Sequence, residues 1–260
     1  MDDNTMYKSY PKVNIFLKII GHKDGYHQLI SRFVKVKTIH DVMWFEANDG
    51  KGFSITGDFD CPPESNTIYK AYLKLKEHFG YRRIEEFCQT HKVVVYKKIP
   101  TEAGLGGGSS NAATFLHMIN NELSLKLSKD DLMKIGAEIG ADVPFFISGY
   151  DSANVRGFGQ IVEEFEEDVP KLEIFTPNIS CNTAKIFRVY RQNFSQTMGQ
   201  SKDLGEKLAL LDSKEILEEF SPEVLNDLYP AALKAHSELH FEKKDGYFFS
   251  GSGSSFFRAI

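Results

Sequence analysis

The chain has 260 residues, 42% hydrophobic and 26% charged, with 20 glycines and 9 prolines. That is enough apolar content for a real core, and it excludes collagen-like, disordered and disulfide-scaffold proteins. A net charge of −5 argues against a general nucleic-acid binder while leaving room for a local basic pocket. Cys61, Cys88 and Cys181 are odd in number and far apart, which speaks against a zinc knuckle and for reduced thiols. The polar residues 1–8 lack a signal-peptide pattern, and no apolar run reaches the ~20 residues of a membrane span. A soluble cytoplasmic protein with no membrane partner is expected.

Residues 12–19 alternate Val13, Ile15, Leu17 and Ile19 with Lys12, Asn14, Phe16 and Lys18. This period of two predicts a strand with one core face and with Lys12 and Asn14 together on the exposed face. Asp24-Gly25 is a turn, and residues 32–39, 42–45 and 53–55 read as strands. Residues 66–79 read as a helix capped by Asn66, with Ile68, Tyr72, Leu75 and Phe79 on one face and Gly80 as its C′ residue. Residues 93–96 form a β-branched strand that runs through Lys97 to Pro100 and a glycine run. Ser109-Ser110-Asn111 opens a second helix, with Ala112, Phe115, Leu116, Ile119 and Leu123 apolar. Ser128 and Asp131 make a capping box for a third helix ended by Gly140, and the chain re-enters helix at Val143-Pro144. Beyond a boundary near 148–149, residues 152–155, 160–165 and 172–175 read as strands. Residues 203–211, 214–220 and 231–239 read as helices, and 247–249 as a strand entering Gly251-Ser252-Gly253-Ser254. The acidic stretch 163–168 reads as a solvated strand edge and turn.

The strongest chemical signal is Gly104-Leu105-Gly106-Gly107-Gly108-Ser109-Ser110, between a strand and an amphipathic helix. Glycines let backbone N–H groups approach an anion, and a helix N-terminus adds unpaired donors and partial positive charge. Ser109 and Ser110 supply hydroxyls for phosphate oxygens or, at Ser110, for a metal ion. No lysine follows Gly108, so this is not a Walker A loop, and the sixth position fails the dinucleotide GxGxxG pattern.

Three motifs in order resemble the GHMP kinases. They are Pro11-Lys12-Val13-Asn14-Ile15-Phe16-Leu17, the 104–113 loop, and Gly251-Ser252-Gly253-Ser254. Within the family the Lys-x-Asn strand, Asp24-Gly25-Tyr26-His27 and Gly140-Ala141-Asp142-Val143-Pro144 are most similar to members that phosphorylate the 2-hydroxyl of a diphosphocytidyl-methylerythritol in non-mevalonate isoprenoid synthesis. The resemblance implies an α+β fold of two domains: a ribosomal-protein-S5-domain-2-like ATP-binding domain over 1–148 and a ferredoxin-like acceptor-binding domain over 149–260. The family often continues past the third motif with another helix and strand, so the second domain is expected to be short by an element.

The resemblance also implies the site. Asp142 is the catalytic base and Lys12 the cation that holds it ionised. ATP, with Mg2+, lies on Gly104 to Ser110, and Asn66, Lys97 and Pro100 lie around the adenine. Asn14 binds the erythritol diol or a phosphate, and Tyr26, His27, Phe187 and Thr183 hold the cytidine. Read singly, Asp142 is also a helix N-cap before Pro144, Lys12 a solvated strand lysine, and Phe187 core. Glu102 and Ala103 stand where the family usually has a glycine pair. Sibling kinases for mevalonate or homoserine, and a non-catalytic nucleotide-binding relative, are the alternatives. Tyr26, His27 and Phe187 speak against the siblings, whose acceptors have no base to stack. The retained Lys12 and Asp142 speak against the non-catalytic reading. Oligomeric state stays open between monomer and homodimer.

Overall fold

The computed structural model describes residues 5–23, 25–50, 52–79 and 81–260. In chain order the strands β1 (Tyr7–Ser9), β2 (Lys12–Lys23), β3 (Tyr26–Lys35), β4 (Asp41–Ala47) and β5 (Ile55–Gly57) precede helices α1 (Thr67–Phe79) and α2 (Tyr81–Thr90). Strand β6 (His91–Tyr96) leads to helices α3 (Gly107–Glu122), α4 (Lys129–Ile139) and α5 (Val143–Ser148), then strands β7 (Ser152–Gly157), β8 (Ile161–Glu164) and β9 (Leu172–Phe175). Helices α6 (Thr183–Asn193), α7 (Met198–Leu208), α8 (Ser213–Glu219), α9 (Pro222–Leu225), α10 (Tyr229–Ala235) and α11 (Leu239–Glu242) follow. Strands β10 (Phe248–Phe249) and β11 (Phe256–Ala259) complete the chain. Among the described residues no helix is long and apolar enough to cross a membrane.

The chain divides into two compact units, and they are not consecutive halves. The first holds the described residues up to Pro11, Ile39–Ile99 and Gly107–Gly149; the second holds Lys12–Thr38, Pro100–Gly106 and Tyr150–Ile260. The expected cut near 148–149 coincides with the last crossing only. The β2–β3 hairpin and the 100–106 loop belong with the C-terminal part.

In the first unit a sheet ordered β1-β4-β6-β5 pairs antiparallel except at β5–β6. The period of two in β6 buries Val93 and Val95. Helix α1 adds Ile68, Ala71, Tyr72 and Leu75, and α3 adds Ala112, Phe115, Leu116 and Ile119 to the same core. Asn66 stands before α1, its side-chain oxygen accepting from the Ile68 N–H at 2.9 Å. Gly80, its expected C′ residue, lies outside the described residues, as does the Phe79 side chain. The capping box of α4 is present in both directions: Ser128 Oγ accepts from the Asp131 N–H and the Asp131 carboxylate from the Ser128 N–H.

In the second unit the sheet is ordered β2-β3-β7-β8, all antiparallel. The hairpin closes with Lys23 opposite Tyr26; Gly25 has φ +85°, and Asp24 lies outside the described residues. A second sheet, β10-β11-β9, packs its aromatic residues Phe249 and Phe256 with Ile186, Tyr190 and Tyr229.

Two expectations change. Lys12, Asn14 and Lys18 are buried, not on a solvated face. The reason is that this face is covered too: Gly205 of α7 comes so close that a Cβ there would stand 3.3 Å from Lys18 Cβ, and the Lys18 ammonium pairs with Asp227 and donates to the Val224 carbonyl. The open edge of β2 is also held. The Lys12 N–H donates to the Leu105 carbonyl at 2.9 Å, the Asp227 carboxylate accepts from the Ile19 N–H, and the Asp227 N–H donates to the Leu17 carbonyl. The acidic stretch is not wholly solvated either. The Glu167 side chain is 1% exposed, accepting from Ser152 Oγ, Ser213 Oγ and the Ser213 N–H and pairing with buried Arg32. Arg32 also donates to Asn154 Oδ1 and the carbonyls of Ala209 and Leu211, so this buried ion pair is hydrogen-bonded on both sides.

Candidate active site

The glycine run is divided between the units, with Gly104, Leu105 and Gly106 in the second and Gly107, Gly108, Ser109 and Ser110 in the first. In the first unit α3 begins at Gly107, two residues earlier than expected. The early N–H groups of a helix have no partner within it. A Cβ at Gly107 would stand 2.8 Å from Ile99 Cγ2, so only glycine lets this turn lie against the 97–99 segment. The Thr67 hydroxyl donates to the Gly108 carbonyl at 2.6 Å, tying the start of α1 to the start of α3. Ser110 is 2% exposed; its hydroxyl donates to the Tyr10 carbonyl and bonds Ser9 Oγ, both at 2.7 Å. Ser110 therefore anchors the helix, and Ser109 is the partly exposed hydroxyl of the pair. Lys97 is also drawn inward, its ammonium donating to Asp41 and to Asn111 Oδ1.

Asp142, in the first unit, precedes α5 with helical φ and ψ, and its carboxylate makes no capping hydrogen bond. Helix α5 starts on Val143-Pro144, and proline needs no cap at its missing N–H. The capping role that competed with catalysis for this residue is thus not the one its side chain plays.

In the second unit Lys12 Nζ donates to Asn14 Oδ1 at 2.7 Å and lies 4.3 Å from the Phe33 ring centroid. Asn14 Nδ2 donates to Ser31 Oγ at 2.9 Å, and Ser31 to the Phe16 carbonyl. These contacts fix the amide and orient the lysine. The loop from Pro100 is held by its backbone: Ser255 N–H donates to the Ala103 carbonyl and Ser250 Oγ to the Gly104 carbonyl. Gly104 has φ +72°, and a Cβ there would meet the Ser250 carbonyl oxygen at 2.2 Å. The Glu102 carboxylate accepts from Ser180 Oγ.

The expected cytidine residues lie in the same unit. His27 and Phe187 have ring centroids 4.8 Å apart, while Tyr26, 61% exposed, lies 5.3 Å from Phe158. The structure thus pairs Phe187 with His27 and Tyr26 with Phe158. The His27 Nε2 is buried without a hydrogen-bond partner. Burial holds its imidazole pKa below the ordinary value, with further lowering from the nearby charges of His22 and Arg191. Thr183, first residue of α6, shares a 2.7 Å hydrogen bond with Ser252 of the third motif. Sequence reasoning missed Asp41 and Ser31, because a single polar residue in a strand carries no periodic signal.

The sequence signature of the GHMP kinases N terminal domain matches residues 66–150. The chain is 46% identical over 257 residues to 4-diphosphocytidyl-2-C-methyl-D-erythritol kinase of Sulfurimonas denitrificans, covering 97% of this chain and 96% of that protein. It is 48% identical over 251 residues to the same kinase of a Sulfurovum species, covering 96% and 97%. A crystal structure of 4-(cytidine 5'-diphospho)-2C-methyl-D-erythritol kinase superposes with a TM-score of 0.72 at 27% identity over 98% of this chain and 90% of that one. The Methanococcus jannaschii mevalonate kinase, at 12% identity and a TM-score of 0.65 over 100% and 91%, shares the fold. With relatives this similar over nearly their whole length, the chain belongs to the 4-diphosphocytidyl-2-C-methyl-D-erythritol kinases, ATP-using α+β enzymes of the GHMP kinase family.

Proposed function

We propose that this chain transfers the γ-phosphoryl group of ATP to the tertiary 2-hydroxyl of 4-diphosphocytidyl-2-C-methyl-D-erythritol, a step of non-mevalonate isoprenoid precursor synthesis. The observation that carries the choice of acceptor is the His27–Phe187 pair with its orphaned buried Nε2. A flat heterocycle with hydrogen-bonding edges supplies both a stacking face and the missing partner. Mevalonate and homoserine offer neither.

Phosphoryl transfer asks the protein for positioning and charge stabilisation more than for covalent chemistry. Asp142 accepts the proton of the attacking hydroxyl, and Lys12 supplies positive charge. Asn14, braced by Ser31, holds the acceptor's polar end. The N–H groups at the start of α3, with Ser109, bind nucleotide phosphates, while Asn66, Lys97 and Pro100 border the base. Among the described residues no three His, Cys, Asp or Glu cluster to hold a metal. Mg2+ would arrive on the phosphate oxygens of ATP, and Ser109, the partly exposed hydroxyl at the start of α3, would be its protein ligand. When bound, Mg2+ neutralises charge on the polyphosphate.

A thermal-shift panel tests the acceptor. Ligand at ~100 times its Kd stabilises by about 2.7 kcal/mol, so the diphosphocytidyl compound should raise Tm clearly while mevalonate and homoserine do not. A shift with mevalonate alone would overturn the acceptor assignment.

A further inference from the structure

The first unit contains a buried carboxylate that none of the roles above uses. Asp41 opens β4, is fully buried, and accepts four hydrogen bonds. Its Oδ1 takes the backbone N–H groups of Lys98 and Ile99 at 2.7 and 2.8 Å. Its Oδ2 takes Lys97 Nζ at 2.5 Å and Asn111 Nδ2 at 2.9 Å. Lys97 Nζ also donates to Asn111 Oδ1 at 2.9 Å, and Asn111 Nδ2 to Ser9 Oγ at 2.9 Å. One side chain thus fixes two separate stretches, the 97–99 backbone that leaves β6 and the N-terminal part of α3 at Asn111. Gly107 lies against the Ile99 side chain, where an added Cβ would stand 2.8 Å from Cγ2.

A structural ion pair alone needs neither backbone N–H group. A carboxylate whose four acceptor positions are all filled by the two stretches that the nucleotide reading assigns to base and phosphates has a more specific use. We infer that Asp41 is a positioning residue for ATP: through Lys97, Asn111 and the Lys98–Ile99 backbone it sets the 97–99 segment and the start of α3 at the spacing the nucleotide requires. This rests on the reading of those stretches as the nucleotide site.

Asp41→Asn is nearly isosteric and keeps an oxygen for the two backbone donors. Its amide, however, faces Lys97 Nζ and Asn111 Nδ2, both donors. Two buried donors then face a group that cannot accept from them, so the cluster must rearrange and move the stretches it holds, and affinity for a nonhydrolysable ATP analogue should fall at least about tenfold. Acceptor affinity, measured in the same calorimeter, should stay within about twofold, and KM for ATP should rise with little change in kcat. The Asp41→Asn/Asn111→Asp double variant returns a carboxylate to Lys97 from the helix side and should recover most of the lost ATP affinity. Gly107→Val serves as the control on the site. If Gly107→Val weakens the analogue and folded Asp41→Asn does not, the Asp41 role is overturned and the nucleotide site stands. If neither weakens it, the site reading falls and the inference with it. Equal loss of analogue and acceptor affinity would mark Asp41 as merely structural and would also overturn it. Should Asp41→Asn fail to fold, Asn111→Ser removes only the amide arm of the cluster. Selective loss of analogue affinity there supports the role, and parent-like affinity rejects it.

Discussion

His27 keeps a buried ring nitrogen without a partner, a condition that costs about 1–3 kcal/mol and that a bound base edge would relieve. Tyr26, the residue before it, is largely exposed, so its ring has little packing to lose. Tyr26→Ala should therefore leave the fold and ATP binding intact and weaken the diphosphocytidyl acceptor by about 1–3 kcal/mol, the usual value of one aromatic stacked on a base. Calorimetry with a nonhydrolysable ATP analogue present reads this directly; loss of ATP affinity with the acceptor spared would show the two ligands to be assigned to the wrong residues. At this scale a sequence draws notice only to unusual residues that sit together, as in Tyr26-His27 or Lys12-x-Asn14. It was uninformative for Asp41 and Ser31, whose partners are distant in the chain: Asn111 is 70 residues from Asp41, and no local pattern records such a pairing.

The glycine run shows how an element carries its own specification. Strand, glycines and amphipathic helix were all legible, because the periods of β6 and α3 follow from which side chains face one core. Gly107→Val should lower ATP affinity at least about tenfold, since the added side chain must push aside Ile99 or tilt the helix start, and β-branching restricts the turn further. A circular dichroism spectrum close to the parent, with ATP binding lost, is the expected pair of results; unchanged ATP binding would reduce the run to a turn. Elements that escaped the sequence reading have short or masked apolar patterns. Among its described side chains α2 buries Ile84 and Cys88, and α6 buries Ile186 and Tyr190 among charged neighbours. The buried polar side of β2 departs from the expectation for a related reason: alternation reports chemistry along one strand, while burial there depends on α7 and Asp227, which come from elsewhere in the chain.

For the whole molecule, pH offers a test of burial. His27 and His117 have imidazoles held below the ordinary pKa, in both cases chiefly by burial. The unfolded chain then takes up protons that the folded chain refuses. Their contribution is fully present above the ordinary imidazole value of about 6.5 and is lost as pH falls from there toward the folded-state values. Tm should decline between about pH 7 and 5, and His117→Leu should flatten part of that slope; a Tm that rises on acidification in this range would contradict the assignment. The allocation of segments to units was the least legible feature, since hydropathy cannot say that residues 12–38 join the C-terminal part. Fold class and chemistry were legible because three motifs kept their order. Phosphorus NMR of the purified chain with ATP, Mg2+ and 4-diphosphocytidyl-2-C-methyl-D-erythritol tests the transfer itself. A new phosphomonoester signal on the acceptor is expected, its rate of appearance lowered about 10²–10⁴-fold in Asp142→Asn with ATP binding retained. No phosphomonoester from the parent chain, or a turnover in Asp142→Asn equal to the parent's, would contradict it.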